Sequence, residues 1–316
     1  MIIAFGSIFL GALFLMIAGD LLVKGAVALS LKLHLSPTVI GLTVVAFGTS
    51  APELMVSLQA ALSGSADIAL GNVIGSNIAN ILLIIGAPAF IALPILHSGM
   101  IKYNYAFMLI ASIALFLIAL LWGEINRFIA ICFIISLLGF IIYNLYLHKK
   151  LDVKEDGASE EITKGDKIAN WKMLLFIFIG IVGLPLGAKI LVTGASDIAL
   201  AFGISQAAIG LTIVALGTSL PELAASIAAA YRGHSEIAVA NAIGSNLFNI
   251  FSILGFTALV TPLKIADDFL MLDLPLMILS VLIIGPFVLE KIKFTRFFAL
   301  LLLLAYGIYV IMVLGV

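Results

Sequence analysis

The stretch GLTVVAFGTSAPEL, Gly41 to Leu54, returns as GLTIVALGTSLPEL, Gly210 to Leu223, and each copy sets a glutamate, Glu53 or Glu222, inside an apolar run. A carboxylate near the middle of a bilayer costs about 2.5 to 3.5 kcal/mol on insertion scales. Two at matched positions imply a compensating partner, most simply a bound cation. Small residues such as Gly and Ser let membrane helices approach closely, but close packing leaves the glutamates unexplained.

The surroundings of the motif set the solvent. Hydrophobic residues make up 63% of the chain, charged residues 10%, and the mean hydropathy is +1.28, far from the balance of a soluble domain. An all-α polytopic membrane protein is expected. About 20 apolar residues cross the hydrocarbon, and the polar punctuation predicts ten transmembrane helices: Ile2 to Leu29, Val39 to Leu62, Ile68 to Leu93, Tyr103 to Trp122, Phe128 to Leu147, Met173 to Leu200, Ala207 to Tyr231, Ile237 to Val260, Phe269 to Leu289 and Phe297 to Val316. The first run lacks the basic segment of a secretory signal and is broken late by Asp20, so it is expected to be retained as a helix. Cys132 is the only cysteine, which leaves neither an intrachain disulfide nor a thiolate metal site. A net charge of −1 without a basic tract beside aromatics gives no footprint for a nucleic acid.

Lysine and arginine concentrate in cytoplasmic loops. With the N-terminus outside, Lys24, Lys32, Lys102, Lys149, Lys150, Lys154, Lys164, Lys167, Lys172, Arg232, Lys291, Lys293 and Arg296 fall on the cytoplasmic side and only Arg127, Lys189 and Lys264 outside. Both termini are therefore expected to be extracytoplasmic, in a multi-pass protein of the cytoplasmic membrane.

Shifted by 169 residues, Gly41 to Asn80 matches Gly210 to Asn249 at 23 of 40 positions, the mark of a duplication. Residues 1–147 are expected to form the first five-helix repeat, the charged stretch 148–172 a cytoplasmic connector, and 173–316 the second repeat. Five is odd, so the second repeat enters the membrane in the opposite sense. Inverted repeats of this kind are common in secondary transporters, with the ion site near the midplane where they meet. No selectivity-filter sequence and no Walker phosphate loop occurs, so neither a channel nor an ATP-driven pump is indicated.

Pro52 and Pro221 have no amide hydrogen for the carbonyls of Gly48 and Gly217, so each helix is expected to kink or unwind there. Carbonyls freed around Ala46 to Thr49 and Ala215 to Thr218 are then available to a cation, beside the hydroxyls of Thr49, Ser50, Thr218 and Ser219. Further on, GNVIGSNIANI at Gly71 to Ile81 and ANAIGSNLFNI at Ala240 to Ile250 carry Asn72, Ser76 and Asn80 and their mates Asn241, Ser245 and Asn249 at spacing four, a stripe on one helix face. Ser76, Asn80, Ser245 and Asn249 are expected to line an ion path. Asn77 and Asn246 point elsewhere on the helix and read as structural. Carboxylates, amides, hydroxyls and carbonyls, with no His or Cys, suit a hard cation such as calcium rather than zinc or copper. Two carboxylates balance one divalent ion or two monovalent ones, which allows calcium to exchange for sodium or for protons.

Both GTSxPE blocks and both GSNxxN blocks resemble the paired alpha repeats of the cation/calcium exchanger superfamily, and the short loops resemble its prokaryotic sodium/calcium exchangers. The repeats cover about a quarter of the chain. The resemblance implies ten helices and alternating access, with calcium between Glu53 and Glu222 and sodium over overlapping sites. It implies Thr49 and Thr218 as calcium ligands through main-chain oxygens. It also implies Ala46, Ser50 and Ser76, with Ala215, Ser219 and Ser245, around the flanking sodium sites, and Asn80 and Asn249 as the polar pair facing the glutamates. Some relatives carry Asp at one of the last two positions; Asn at both argues against potassium cotransport. No enzymatic activity and no cofactor are expected, the ions and the bilayer are the expected partners, and a single chain is the expected functional unit. The nearest rival is a calcium/proton exchanger of the same fold, whose glutamates alternate between calcium-bound and protonated states. An intramembrane enzyme is disfavoured because nucleophile signatures, metal-binding His pairs and paired membrane aspartates are all missing from the sequence.

Overall fold

A computed structural model describes residues 1–94, 96, 99–150, 168–202 and 215–314. It is helical nearly throughout. Helix α1 (Ile2–Leu33) is followed by a bent pair, α2 (Pro37–Thr49) and α3 (Ala51–Leu62), then α4 (Ala66–Leu82), α5 (Gly99–Trp122) and α6 (Arg127–Lys150). After the connector come α7 (Asn170–Ala201), the short α8 (Ala215–Thr218), α9 (Leu220–Tyr231), α10 (Ser235–Val260), α11 (Phe269–Val288) and α12 (Arg296–Leu314). By length and apolar composition, seven described helices can each cross a membrane, and eight if α2 and α3 count as one bent span. Helix α4, at 17 residues, stops just short of that length. The start of the expected seventh span and the centre of the connector, with Lys154, Lys164 and Lys167, lie outside the described residues, as do Gly210 to Val214 of the second motif.

One boundary differs from expectation. The third span was read from Ile68 to Leu93, but its helix ends at Leu82 and gives way to turns and a short 3-10 segment at Pro88–Phe90. Pro88 cannot continue an α-helix, and at Gly86 a Cβ would stand 2.6 Å from the Leu82 carbonyl and 3.2 Å from that of Ala299. The backbone turns there because only glycine lets α12 come so near.

The outer surface is apolar, as suits a lipid solvent, and the interior combines an apolar core with buried polar side chains. Large apolar side chains such as Phe9, Met16, Met271 and Phe297 lie on the outside, while asparagines, serines and both motif glutamates are buried. Helix α10 forms the axis, 83% of its apolar window buried, whereas α12 at the periphery has only 11% buried. Phe248 and Phe251 of α10 stack with Phe107 of α5 and Phe133 and Phe140 of α6 into one aromatic core.

Helices α1 and α7 pack along most of their lengths. Gly11 meets Gly187 and Leu191, Gly25 meets Met173 and Ile177, and Gly194 meets Ala4, Ser7 and Ile8. Residue numbers rise on one helix as they fall on the other, so the two run antiparallel. A Cβ on Gly11, Gly180 or Gly194 would sit 2.5 Å from its neighbour, a seam of small residues that sets two backbones in near contact.

Cross-links between loops sort by side. The turn after α5 and that after α10 join as a two-residue antiparallel ladder, Glu124 with Lys264 and Ile125 with Leu263. Elsewhere, Lys102 pairs with Glu290 at 2.8 Å, His148 Nε2 meets the His34 carbonyl at 2.9 Å, and Arg232 pairs with Asp20, which Lys24 also contacts at 3.1 Å.

Candidate cation site

The expected breaks are present. Helix α2 ends at Ser50, φ −84°, ψ 4°, and α3 leaves at 43° to it. In the second half Ser219, φ −87°, ψ −1°, separates α8 from α9. Each break sets its glutamate in the first turn of the following helix, where unpaired amides and the macrodipole favour a carboxylate.

Both carboxyl groups point inward, Glu53 and Glu222 each being 1% exposed. Ser50, three residues before Glu53, donates its hydroxyl to Glu222 Oε1 at 3.0 Å, so the two halves meet at the glutamates. The described ion pairs involve Asp20, Glu236 and Glu290, and none reaches Glu53 or Glu222. Whatever balances them is not a described basic side chain.

The supporting shell is symmetric. Asn72 of α4 donates to the Glu53 carbonyl at 3.2 Å and to Ser57 Oγ at 2.9 Å, and its Oδ1 accepts from Thr218 of the other half at 3.4 Å. Asn241 of α10 donates to the Glu222 carbonyl at 3.4 Å and to Ser226 Oγ at 3.1 Å, and its Oδ1 accepts from Thr49 at 3.3 Å. Each asparagine thus ties its own glutamate's helix to the hydroxyl beside the opposite break. The Thr49 hydroxyl lies 3.3 Å from both Asn241 Oδ1 and the Ala46 carbonyl.

The stripe residues meet across the interface between the halves. Asn80 donates to Asn246 Oδ1 at 2.9 Å, and Asn249 donates to Asn77 Oδ1 at 3.0 Å. Among the described residues seven buried side-chain oxygens are left without a hydrogen-bond partner; five of them, Glu53 Oε2, Glu222 Oε2, Asn80 Oδ1, Asn249 Oδ1 and Ser245 Oγ, belong to the repeated motifs of the two halves, and the others are Asn104 Oδ1 and Thr257 Oγ1. A buried polar atom left unpaired costs about 1 to 3 kcal/mol, and carboxylate, amide and hydroxyl oxygens are the kind of ligand a hard cation takes.

Of the remaining sequence candidates, Ala46, Ser76 and Ser219 are buried and Thr218 is half-buried. Ala215 opens α8, and its side chain lies outside the described residues. Sequence reasoning passed over Ser57 and Ser226, both 0% exposed, although the duplication carries them at matched positions. It also read Asn77 and Asn246 as structural; their Oδ1 atoms accept from Asn249 and Asn80 across the interface.

Comparison with known proteins agrees with this arrangement. The family described as sodium/calcium exchanger protein matches residues 3–146 and 172–315. Sodium/calcium exchanger MaX1 of Methanosarcina acetivorans is 31% identical over 330 residues, covering 94% of this chain and 94% of its own. Inner membrane protein YrbG of Escherichia coli is 36% identical over 269 residues, covering 83% of this chain and 81% of its own. The sodium-calcium exchanger NCX_Mj, in crystals soaked with zero Na+ and Ca2+, superposes with a TM-score of 0.82 at 30% identity over 97% of both chains. The chain belongs to the sodium/calcium exchanger family, on the prokaryotic side of the cation/calcium exchanger superfamily.

Proposed function

We propose that this protein is a secondary antiporter that exchanges calcium for sodium across the cytoplasmic membrane by alternating access. The observation that carries the reading is the set of five unpartnered buried oxygens in the repeated motifs, two of them carboxylate, contributed by both halves. Calcium takes six to eight oxygens in flexible geometry, and carbonyls at the two helix breaks complete such a set. Calcium binds between Glu53 and Glu222 with the main-chain oxygens of Thr49 and Thr218; sodium uses Ala46, Ser50 and Ser76 on one flank and Ala215, Ser219 and Ser245 on the other, with Asn80 and Asn249 facing the centre. The likeness to MaX1 and NCX_Mj supports the same pair of ions.

Ten spans in two inverted five-helix repeats are the architecture we infer, residues 1–147 and 173–316 joined by a cytoplasmic connector at 148–172. The antiparallel run of α1 against α7, counterparts under the repeat, supports inversion. With both termini extracytoplasmic, the ladder between residues 124–125 and 263–264 falls on the outer face, and the Asp20–Arg232, Lys102–Glu290 and His34–His148 contacts all fall on the cytoplasmic face. That consistency supports the alternation of the spans, and the charge count then says which face is cytoplasmic. The functional unit is a single chain, since both halves of the site come from it.

The closed, cation-free site would hold two unpaired carboxylates away from water, at a cost of several kcal/mol per ion. The empty carrier therefore rarely crosses, which couples one ion to the other. With three sodium ions per calcium, each cycle moves one charge, and the membrane potential contributes about 2.3 kcal/mol per 100 mV.

Reconstituted protein with an imposed sodium gradient tests the reading. Glu53→Gln and Glu222→Gln, nearly the same size and uncharged, are expected to abolish calcium uptake while the protein remains folded. Wild-type uptake in either variant would reject it. Uptake driven by a pH gradient without sodium would replace sodium by protons as the coupling ion.

A further inference from the structure

Beyond the oxygens that would touch an ion, two sulfur atoms stand in matched places. Asn246 donates its amide to Met108 Sδ at 3.3 Å, and Asn77 donates its amide to Met277 Sδ at 3.6 Å. Met108 and Met277 are separated by 169 residues, the same offset that relates Asn77 to Asn246 and Asn80 to Asn249. Both methionines are 0% exposed. The arrangement is therefore a duplicated three-residue chain that crosses between the halves twice: Met108, Asn246, Asn80 in one direction and Met277, Asn77, Asn249 in the other.

Chemistry fixes the direction of each chain. A thioether accepts a hydrogen bond and cannot donate one, whereas a primary amide has a donor end and an acceptor end. Facing sulfur, Asn246 must present its NH2 group, which turns its Oδ1 toward Asn80. Asn80 must answer with its own NH2, and its Oδ1 is then the atom left over. The same logic runs from Met277 through Asn77 to Asn249. In both chains the leftover Oδ1 is buried without a partner. Reversing one chain would keep an amide against a carbonyl between the two asparagines but set the other carbonyl against sulfur, acceptor against acceptor.

We propose that Met108 and Met277 are positioning residues for ion binding: as acceptor-only groups they fix the orientation of Asn246 and Asn77, and through them aim the carbonyl oxygens of Asn80 and Asn249 at the cation. This rests on the site reading given above. Leucine in their place fills similar volume at low cost but accepts nothing, so the asparagines can take either orientation. Only one orientation offers oxygen, and apparent affinity falls with the fraction of the chain that is competent. Equal populations in one chain weaken calcium binding about twofold, and in both chains about fourfold.

A sign reversal separates this role from simple packing. In Asn80→Asp the carboxylate needs a donor, so Asn246 must turn its NH2 inward and its carbonyl toward sulfur. Met108→Leu removes that clash. Calcium binding measured by calorimetry on purified protein should therefore weaken with Met108→Leu in the wild-type background and strengthen with it in the Asn80→Asp background. Loss of the same size in both backgrounds, or no change in either, would overturn the proposal. Should Met108→Leu unfold, biosynthetic norleucine, unbranched like methionine and lacking only its sulfur, makes the same comparison. Glu53→Gln in the same assay keeps the two readings apart: calcium binding that survives it removes the site itself, while binding lost there without the reversal at Met108 removes only the orienting role.

Discussion

At Ser50 one hydroxyl joins the halves, donating to Glu222 Oε1 at 3.0 Å from the break that precedes Glu53. If that hydroxyl also serves a flanking sodium ion, Ser50→Ala should weaken sodium dependence more than calcium affinity, as read from uptake titrated separately with each ion. Equal losses would argue for one undivided site. Asn241 has a different task. It holds the Glu222 carbonyl, Ser226 and Thr49 at once, so Asn241→Ala strips partners from three buried groups. Its expected cost is about 1 to 2 kcal/mol of stability, because a buried group left unpaired keeps its full desolvation penalty while single bonds between membrane helices are each worth less than in hydrocarbon alone. A thermal unfolding midpoint equal to wild type would show that the shell is dispensable.

Among the elements, the bent pair α2 and α3 and the seam between α1 and α7 carry opposite requirements. The bend must stay broken. Pro52→Ala supplies an amide for the Gly48 carbonyl, which favours a continuous helix and disturbs the break from which Ser50 reaches Glu222. Uptake is expected to fall about tenfold, equivalent to about 1.4 kcal/mol in binding, with normal insertion; unchanged uptake would mean that the bend is set by packing and not by proline. The seam must stay smooth. At Gly11 a Cβ would lie 2.5 Å from the Leu191 amide nitrogen and 2.7 Å from the Gly187 carbonyl, both backbone, so no rotamer change relieves Gly11→Val. It should lower the unfolding temperature and transport together, whereas at Gly6, where nothing lies within 4 Å, the same substitution should leave both intact.

At the scale of the molecule the two halves are not equivalent in position. Helix α1 lies over α9, so close that a Cβ on Gly19 would stand 3.0 Å from the Ala224 carbonyl, and Asp20 pairs with Arg232 just beyond α9. On the matching α3, Met55, the counterpart of Ala224, is 66% exposed. Unlike surroundings for the two halves fit the alternating access proposed above, and under that proposal α1 closes the cytoplasmic side. Asp20→Asn removes the ion pair from the closed side. In a Cys132→Ser background with Ala224→Cys, an impermeant thiol reagent applied from the cytoplasmic face should then label faster. Labelling unaffected by Asp20→Asn would mean that apolar packing alone holds α1 in place.

The sequence alone settled the apolar surroundings, the helical class and the duplication, because each is written in local composition or exact recurrence. Pro52 and Pro221 made the two breaks legible, since a missing amide hydrogen acts within one turn. It mistook the end of α4, where the close approach of α12 at Gly86 decides the turn, and it could not assign Asn77, Asn246, Met108 or Met277. Those roles depend on which residue of one half faces which residue of the other, and hydrogen bonds across a helix interface follow from packing rather than from any spacing along the chain. Recurrence at 169 residues marked these side chains as a set; only the tertiary arrangement gave the set its direction, sulfur to amide to open oxygen.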